Sequence, residues 1–307
     1  MKKKILTLIV IVLLFGTGCT KYIKSEDKKV ITYEKTGQNV TANILCKPTD
    51  KDLIKIYEEN EKQLSVKLKN LPECKNFKIN SLKYESLWES IFVKPLAFII
   101  LQVGKLVRNN GLAVMLVGLI IRILLLPVSL KTAKQSINMK KAQPEIKKIE
   151  KKYENKTDNA SVMAKSQETM MVYKKYNMNP VSGCLMSFVQ FPLFFAFLEA
   201  INRVPAIFEG NFASLNLGMT PWVGISTGQY LYIILIVLIV ATTFLSFKNS
   251  MASGGGEAEK QMQFMLKFMI VFISIASLRL PTAIALYWII TNGFVVLQNY
   301  IVKRSTK

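Results

Sequence analysis

Five stretches of this chain, residues 111–130, 181–201, 229–247, 264–280 and 282–302, are almost uninterruptedly apolar. Each approaches the ~20 residues that a helix needs to cross the hydrocarbon core of a bilayer. Nothing in lipid can satisfy a bare peptide group, so segments of this kind fold as helices. The fold class that follows is an all-α membrane protein with five transmembrane helices. Half of the 307 residues are hydrophobic and the mean hydropathy is +0.27, in keeping with that class. The last two spans meet at Pro281 and form a hairpin.

Charge decides which side is which. The chain carries 41 Lys and Arg against 20 Asp and Glu, a net +21. Residues 131–180 hold 12 lysines and 5 acids, whereas 202–228 hold one Arg and one Glu. The positive-inside rule then places 131–180, 248–263 and the short tail 304–307 in the cytoplasm. Nucleic acid is not expected as a specific partner, because the basic charge is spread over both membrane faces and no base-stacking module is present.

The N-terminus gives an independent indication of topology. Lys2, Lys3 and Lys4 precede an apolar run from Ile5 to Phe15, then Gly16, Thr17 and Gly18 lead to Cys19. Eleven apolar residues are too few to span. The pattern resembles a bacterial lipoprotein signal, residues 1–18, with Cys19 as the acylated first mature residue; an uncleaved anchor would equally leave the following segment outside. Cys46 and Cys74 could pair there in an oxidising setting. No C-x-x-C occurs, so no metal site is expected.

Residues 19–87 read as an extracytoplasmic charged arm, solvated and too poor in apolar residues for a core of its own. One amphipathic helix is expected in it, carried by Leu53, Ile56, Tyr57, Leu64, Leu68 and Leu71, capped by Asp50 and ended by Pro72. Residues 88–108 turn apolar, but Lys94 and Lys105 leave only ten uncharged residues between them. This segment is expected to lie along the interface. At ~100° per residue, Lys94, Lys105 and Arg108 share one narrow face, with Trp88 as an interfacial aromatic. Residues 131–176 read as a cytoplasmic helical hairpin whose first arm Pro144 should kink or interrupt. The methionines of its second arm, Met163, Met170, Met171 and Met178, are expected mainly to pack within it.

Absent histidine excludes Ser-His-Asp, Cys-His and His-metal chemistry, and Gly254, Gly255 and Gly256 precede Glu257, so they form no phosphate-binding loop. No cofactor and no enzymatic reaction are expected. What remains is polar groups inside spans. Arg122 is twelfth in the stretch 111–130, where an Arg costs roughly 2.5–3.5 kcal/mol on insertion scales. The one acid in any proposed span is Glu199, near an outer end, whereas Gln190 matches the depth of Arg122, and Thr291 and Asn292 add polarity. These residues point to a water-accessible cavity with a fixed positive charge. An Arg that merely joins helices through backbone carbonyls is the plainer alternative. A transporter or channel with an intramembrane anion site, and an envelope receptor acting through residues 20–90, are the competing functions.

The runs Gly118-Leu-Ile-Ile-Arg122-Ile-Leu-Leu-Leu-Pro127, Gln143-Pro-Glu-Ile-Lys-Lys148, Asn179-Pro-Val-Ser-Gly-Cys184 with Gln190-Phe-Pro192, and Leu280-Pro-Thr-Ala-Ile-Ala-Leu-Tyr-Trp288 with Asn292 resemble the YidC/Oxa/Alb membrane protein insertases, in the five-span lipoprotein form of Gram-positive bacteria. The resemblance covers about 85–303 and implies a groove open to cytoplasm and lipid but closed outside, within a core at 109–303. Arg122, Gln190 and Trp288 match family groove positions. It further implies small membrane protein clients, assistance to substrates of the Sec translocon, and ribosome contact through cytoplasmic loops. The setting it implies is the bacterial cytoplasmic membrane, with membrane lipids as neighbours.

Overall fold

The computed structural model describes residues 20–177, 182–251 and 257–305. Cys19, Met178 and Gly254 to Gly256 lie outside the described residues. The described body is helical, with two small antiparallel strand pairs on one end.

The segment expected to be a solvated arm is folded. Strands β1 (Thr32–Tyr33) and β2 (Gln38–Asn39) pair around a turn at Gly37, whose φ of +72° suits glycine. A Cβ at Gly37 would meet the Val223 side chain at 2.5 Å, so the turn tip sits against residues 220–223. Helix α1 (Lys51–Glu59) starts where Asp50 accepts from the amides of Asp52 and Leu53. It stops at Glu59, and short 3-10 turns at Glu61–Gln63 and Leu68–Asn70 carry the apolar pattern onward to Leu71. Ile23, Val40, Ala42, Ile44, Leu53, Tyr57 and Leu71 form a buried cluster closed by Phe208 of the helical body. The arm has a core because the body supplies part of it. Cys46 and Cys74 are joined by a disulfide with sequence separation 28.

A π-turn at Glu89–Val93 leads into α2 (Lys94–Val107). Helix α3 (Asn110–Leu124) opens on an Asn109 cap that accepts from the Leu112 amide at 2.9 Å. A 66° bend then separates it from α4 (Leu126–Lys152). The bend falls beside Pro127, whose ring and missing N–H are tolerated only in a first turn. The stretch 111–130 is therefore not one straight rod. Pro144, by contrast, lies within α4 without ending it, so of the kink or interruption expected there the interruption does not occur. Helix α5 (Asn159–Lys175), capped by Asp158, returns along α4 to make the hairpin. Lys152 and Tyr153 bind Glu168 across it, as Lys175 and Tyr176 bind Glu145. Its methionines do not pack inside: Met163, Met170 and Met171 are exposed.

Beyond the hairpin come α6 (Ser182–Arg203), the short α7 (Pro205–Phe208), β3 (Asn211–Phe212), β4 (Leu215–Asn216) and α8 (Pro221–Ser226). Three long helices follow: α9 (Leu231–Met251), α10 (Glu257–Ser277) and α11 (Thr282–Ser305). Helix α11 packs on α9 and α3, α3 on α2, and α2 on α6, while α10 leans on α9. Gly118 permits the α3–α11 approach, since a Cβ there would stand 3.0 Å from the Tyr287 ring. Among the described residues, Glu89–Val107 and Thr282–Arg304 are long and apolar enough to cross a membrane, with α3 plus α4 a bent third; Leu231–Phe247 and Leu266–Ser277 are shorter apolar helices.

The segment at 88–108 departs from its expected cation-lined face. Lys94 is buried and paired with Glu89 at 2.9 Å, also donating to the carbonyls of Leu82 and Lys83. Trp88 is buried too, donating to Glu199 at 2.9 Å instead of standing at an interface. Arg108 leaves the helix in a left-handed conformation, while it and Lys105 still line one hollow. Both ends of this segment meet the same stretch of chain: Glu89 binds Arg203, and Asn109 and Asn110 donate to the carbonyls of Asn211 and Ala206.

Candidate substrate groove

Arg122 occupies the last turn of α3, not the middle of a straight span. The bend at Leu125 shortens the rod that carries it. A basic residue in a last helical turn is favoured by the helix dipole, which offsets part of its desolvation. The residue is 6% exposed, and its Nε has no hydrogen-bond partner among the described residues. No carboxylate among them lies within ion-pair distance of it.

Tyr287 of α11 faces that charge. It is fully buried, stacks on Phe197 of α6 with ring centroids 4.1 Å apart, and accepts from Gln190 Nε2 at 3.4 Å. Gln190 Oε1 is itself buried without a partner among the described residues. Arg122 of α3 and Gln190 of α6 are thus gathered around one tyrosine of α11. Between them they leave one donor and one acceptor unused in the protein interior. Such groups cost on the order of 1–3 kcal/mol each when nothing meets them, so the place is suited to a polar visitor or to water.

The other two predicted groove residues stand elsewhere. Trp288 is half-buried and stacks on Phe194 at 5.1 Å and 5°, a packing contact one helical step away from the Arg122 face. Asn292 donates to Thr243 Oγ1 of α9 at 3.0 Å and ties α11 to α9. Thr291 returns its hydroxyl to the Tyr287 carbonyl at 2.7 Å.

The description "60Kd inner membrane protein" belongs to a family model that matches residues 102–307. The chain is a member of that family. It is 37% identical over 222 residues to Membrane protein insertase YidC 2 of Bacillus anthracis, covering 72% of this chain and 83% of that protein. Membrane protein insertase MisCA of Bacillus subtilis is 36% identical over 217 residues, covering 70% and 79%. A solved structure titled "Active YidC insertase crystal structure with the first transmembrane domain resolved" matches with a TM-score of 0.52 and 24% identity, over 72% of this chain and 48% of that one. That likeness concerns the fold, an all-α membrane protein with several apolar helices.

Against this family frame, two features escape a sequence reading. Tyr287 is one place before a tryptophan that attracts attention first, and only the three-dimensional packing shows that it, not Trp288, faces Arg122. The second is a buried charge cluster at the far end of α6. Arg203 donates to Glu89, to Glu199 at 3.5 Å and through Nε to the Asn43 carbonyl at 2.7 Å, while Glu89 also holds Lys94. The spacing of Glu199 and Arg203, four apart on a helix, was the one signal available.

Proposed function

We propose that this protein is a membrane protein insertase and chaperone that integrates small or Sec-delivered membrane proteins into the bacterial cytoplasmic membrane, with no covalent chemistry. One observation carries the reading: a buried guanidinium that no carboxylate among the described residues neutralises, set beside an unsatisfied amide between α3, α6 and α11. A polar or acidic stretch of a client would find there the partners that lipid cannot give, lowering the cost of partial entry while its apolar neighbour moves sideways into lipid. Arg122 and Gln190 are the contact residues in this mechanism. Trp288 and Asn292 shape the walls by packing.

The topology in this reading has five crossings, with the hairpin and the 304–307 tail in the cytoplasm and the arm outside. Its support is the shared docking of both ends of α2. A helix whose start and end both meet residues 203–211 stays on one side, so α2 lies along the surface despite a length and hydropathy compatible with crossing. Cys19 would carry the lipid, and a Cys19→Ser chain should lose labelled palmitate. The exposed basic hairpin is the candidate contact for ribosomes.

The test is integration of a small single-span client into liposomes holding only this protein, without ATP. Integration is expected, and Arg122→Ala should weaken clients with charged external segments more than purely apolar ones. Ion leakage without integration would instead favour a channel, and equal loss for both client types would remove the groove mechanism.

A further inference from the structure

The described residues leave two adjoining open cavities that the groove does not use. One, of about 770 Å³, lies between the segment following Cys74 and α2, with Phe77, Ile79 and Phe98 as apolar walls and Lys75, Lys78 and Lys105 at its rim. The second, of about 410 Å³, shares Lys75 and Lys105 and adds Arg108. Four cations therefore stand around one hollow. Lys78, Lys105 and Arg108 form no ion pair among the described residues; Lys75 has an exposed partner in Glu73 at 2.8 Å. The Cys46–Cys74 disulfide holds the lysine-bearing segment in place over the helix.

We infer that this hollow is a binding site for an anionic phospholipid, with its phosphate among Lys75, Lys78, Lys105 and Arg108 and the start of an acyl chain along Ile79 and Phe98. Charge complementarity selects an anion. The apolar wall selects one with a hydrocarbon part, and it runs on into the exposed Ile99 and Leu106 of α2, a surface suited to lipid. A soluble anion would use the cations and leave the wall wet. An acidic peptide could reach the amides of Asn76, Asn80 and Gln102, but it carries no continuous hydrocarbon to cover Phe77, Ile79 and Phe98. The site rests on the outward placement of the arm and α2 proposed above. It serves to seat that pair on the membrane surface, apart from the client groove.

The experiment uses full-length protein in vesicles of equal phosphatidylglycerol and phosphatidylcholine, with a photoreactive benzophenone residue in place of Gln102, which lines the hollow. Captured lipid is identified by mass spectrometry. Phosphatidylglycerol should exceed phosphatidylcholine in the adduct. Lys105→Gln should cut the preference about fivefold and Lys78→Gln by a similar factor, whereas Lys105→Arg should keep it. Inorganic phosphate at constant ionic strength should leave capture unchanged; displacement by phosphate would mark a free-anion site and overturn the lipid assignment. Equal capture of both lipids, or no response to the lysine changes, would overturn it as well. Client integration measured in the same vesicles separates the two proposals. Integration intact with no lipid preference sinks this site alone, and lipid preference without integration sinks the insertase reading alone.

Discussion

Replacing Glu89 by glutamine should loosen the whole end of the molecule at which the arm meets α6. Glu89 is 3% exposed and holds two buried cations, Lys94 at 2.9 Å and Arg203. Glutamine keeps the shape and removes the charge. Breaking a buried pair by removing one partner costs about 3–5 kcal/mol, because a charge is left behind. Lys94 retains the carbonyls of Leu82 and Lys83, so its share is softened. Arg203 retains Glu199 only at 3.5 Å, with the Asn43 carbonyl. The lower end, ~3 kcal/mol, is the expected loss, which at 2–4 °C per kcal/mol lowers the thermal midpoint by roughly 6–12 °C. Intrinsic tryptophan fluorescence during heating in nanodiscs reads it, since Trp88 donates to the same cluster through Glu199. Arg203→Met should cost a similar amount, and Glu89→Gln with Arg203→Met less than the sum of the two. A midpoint drop below about 2 °C, or strict additivity, would show that these four charges are not the clamp described.

Opening the disulfide by Cys46→Ser should cost ~3–4 kcal/mol by loop entropy, given the 28-residue separation, and make the arm protease-sensitive while α9 to α11 stay protected. Gly224→Ala should destabilise by about 1–3 kcal/mol, because a Cβ there would stand 2.2 Å from the Tyr232 ring; unfolding in denaturant checks it, and an unchanged midpoint would mean that α8 shifts freely. In the hairpin, Lys175 and then Tyr176 hold the Glu145 carboxyl below its ordinary range, and Lys152 and Tyr153 do the same for Glu168. Lowered carboxyl pKa values give stability that is complete above the unfolded value of ~4.3 and lost as pH falls through the folded ones. The hydrogen-exchange protection factors of α4 and α5, taken relative to the intrinsic rate at each pH, should therefore fall in acid, and the double change Glu145→Gln with Glu168→Gln should flatten that dependence.

Apolar length made the helical class legible, and local chemistry made the cap at Asp50 plausible before any packing was known, whereas the caps at Asn109 and Asp158 emerge only in the structure. Long-range pairing was not legible. Lys94 counted as a charge against burial because its partner Glu89 is neutralised jointly with Arg203, 114 residues away. The arm appeared too polar for a core because Phe208, which closes that core, belongs to another part of the chain. Arg122 is central in a twenty-residue apolar run but terminal in its helix, because composition does not reveal where the backbone turns, and the turn falls beside Pro127. Of the groove residues, Arg122 and Gln190 do converge in space, while Trp288 and Asn292 face Phe194 and Thr243. Sequence depth alone cannot resolve a 100° step between Tyr287 and its neighbour.

The displacement of Arg122 to the end of α3 changes what a client must do. The start of α3 is bonded to Ala206 and Asn211, next to the disulfide-braced arm and the Glu89–Arg203 cluster. Its other end runs through the bend into the hairpin arm α4. At 1.5 Å per residue, Arg122 is ~18 Å along the axis from the first residue of α3. It is less than one helical turn from the bend. A polar segment arriving from the hairpin side therefore meets the guanidinium after a short path, whereas one from the arm side faces a long packed one. Only part of the hydrocarbon thickness would have to be made hospitable under the proposed topology, and the arm end would never need to open. Under the proposed topology this asymmetry sets direction without an energy source: the polar segment is drawn in from the cytoplasm to a charge it can reach, and the apolar segment gains its stability in the lipid beside α3, α6 and α11.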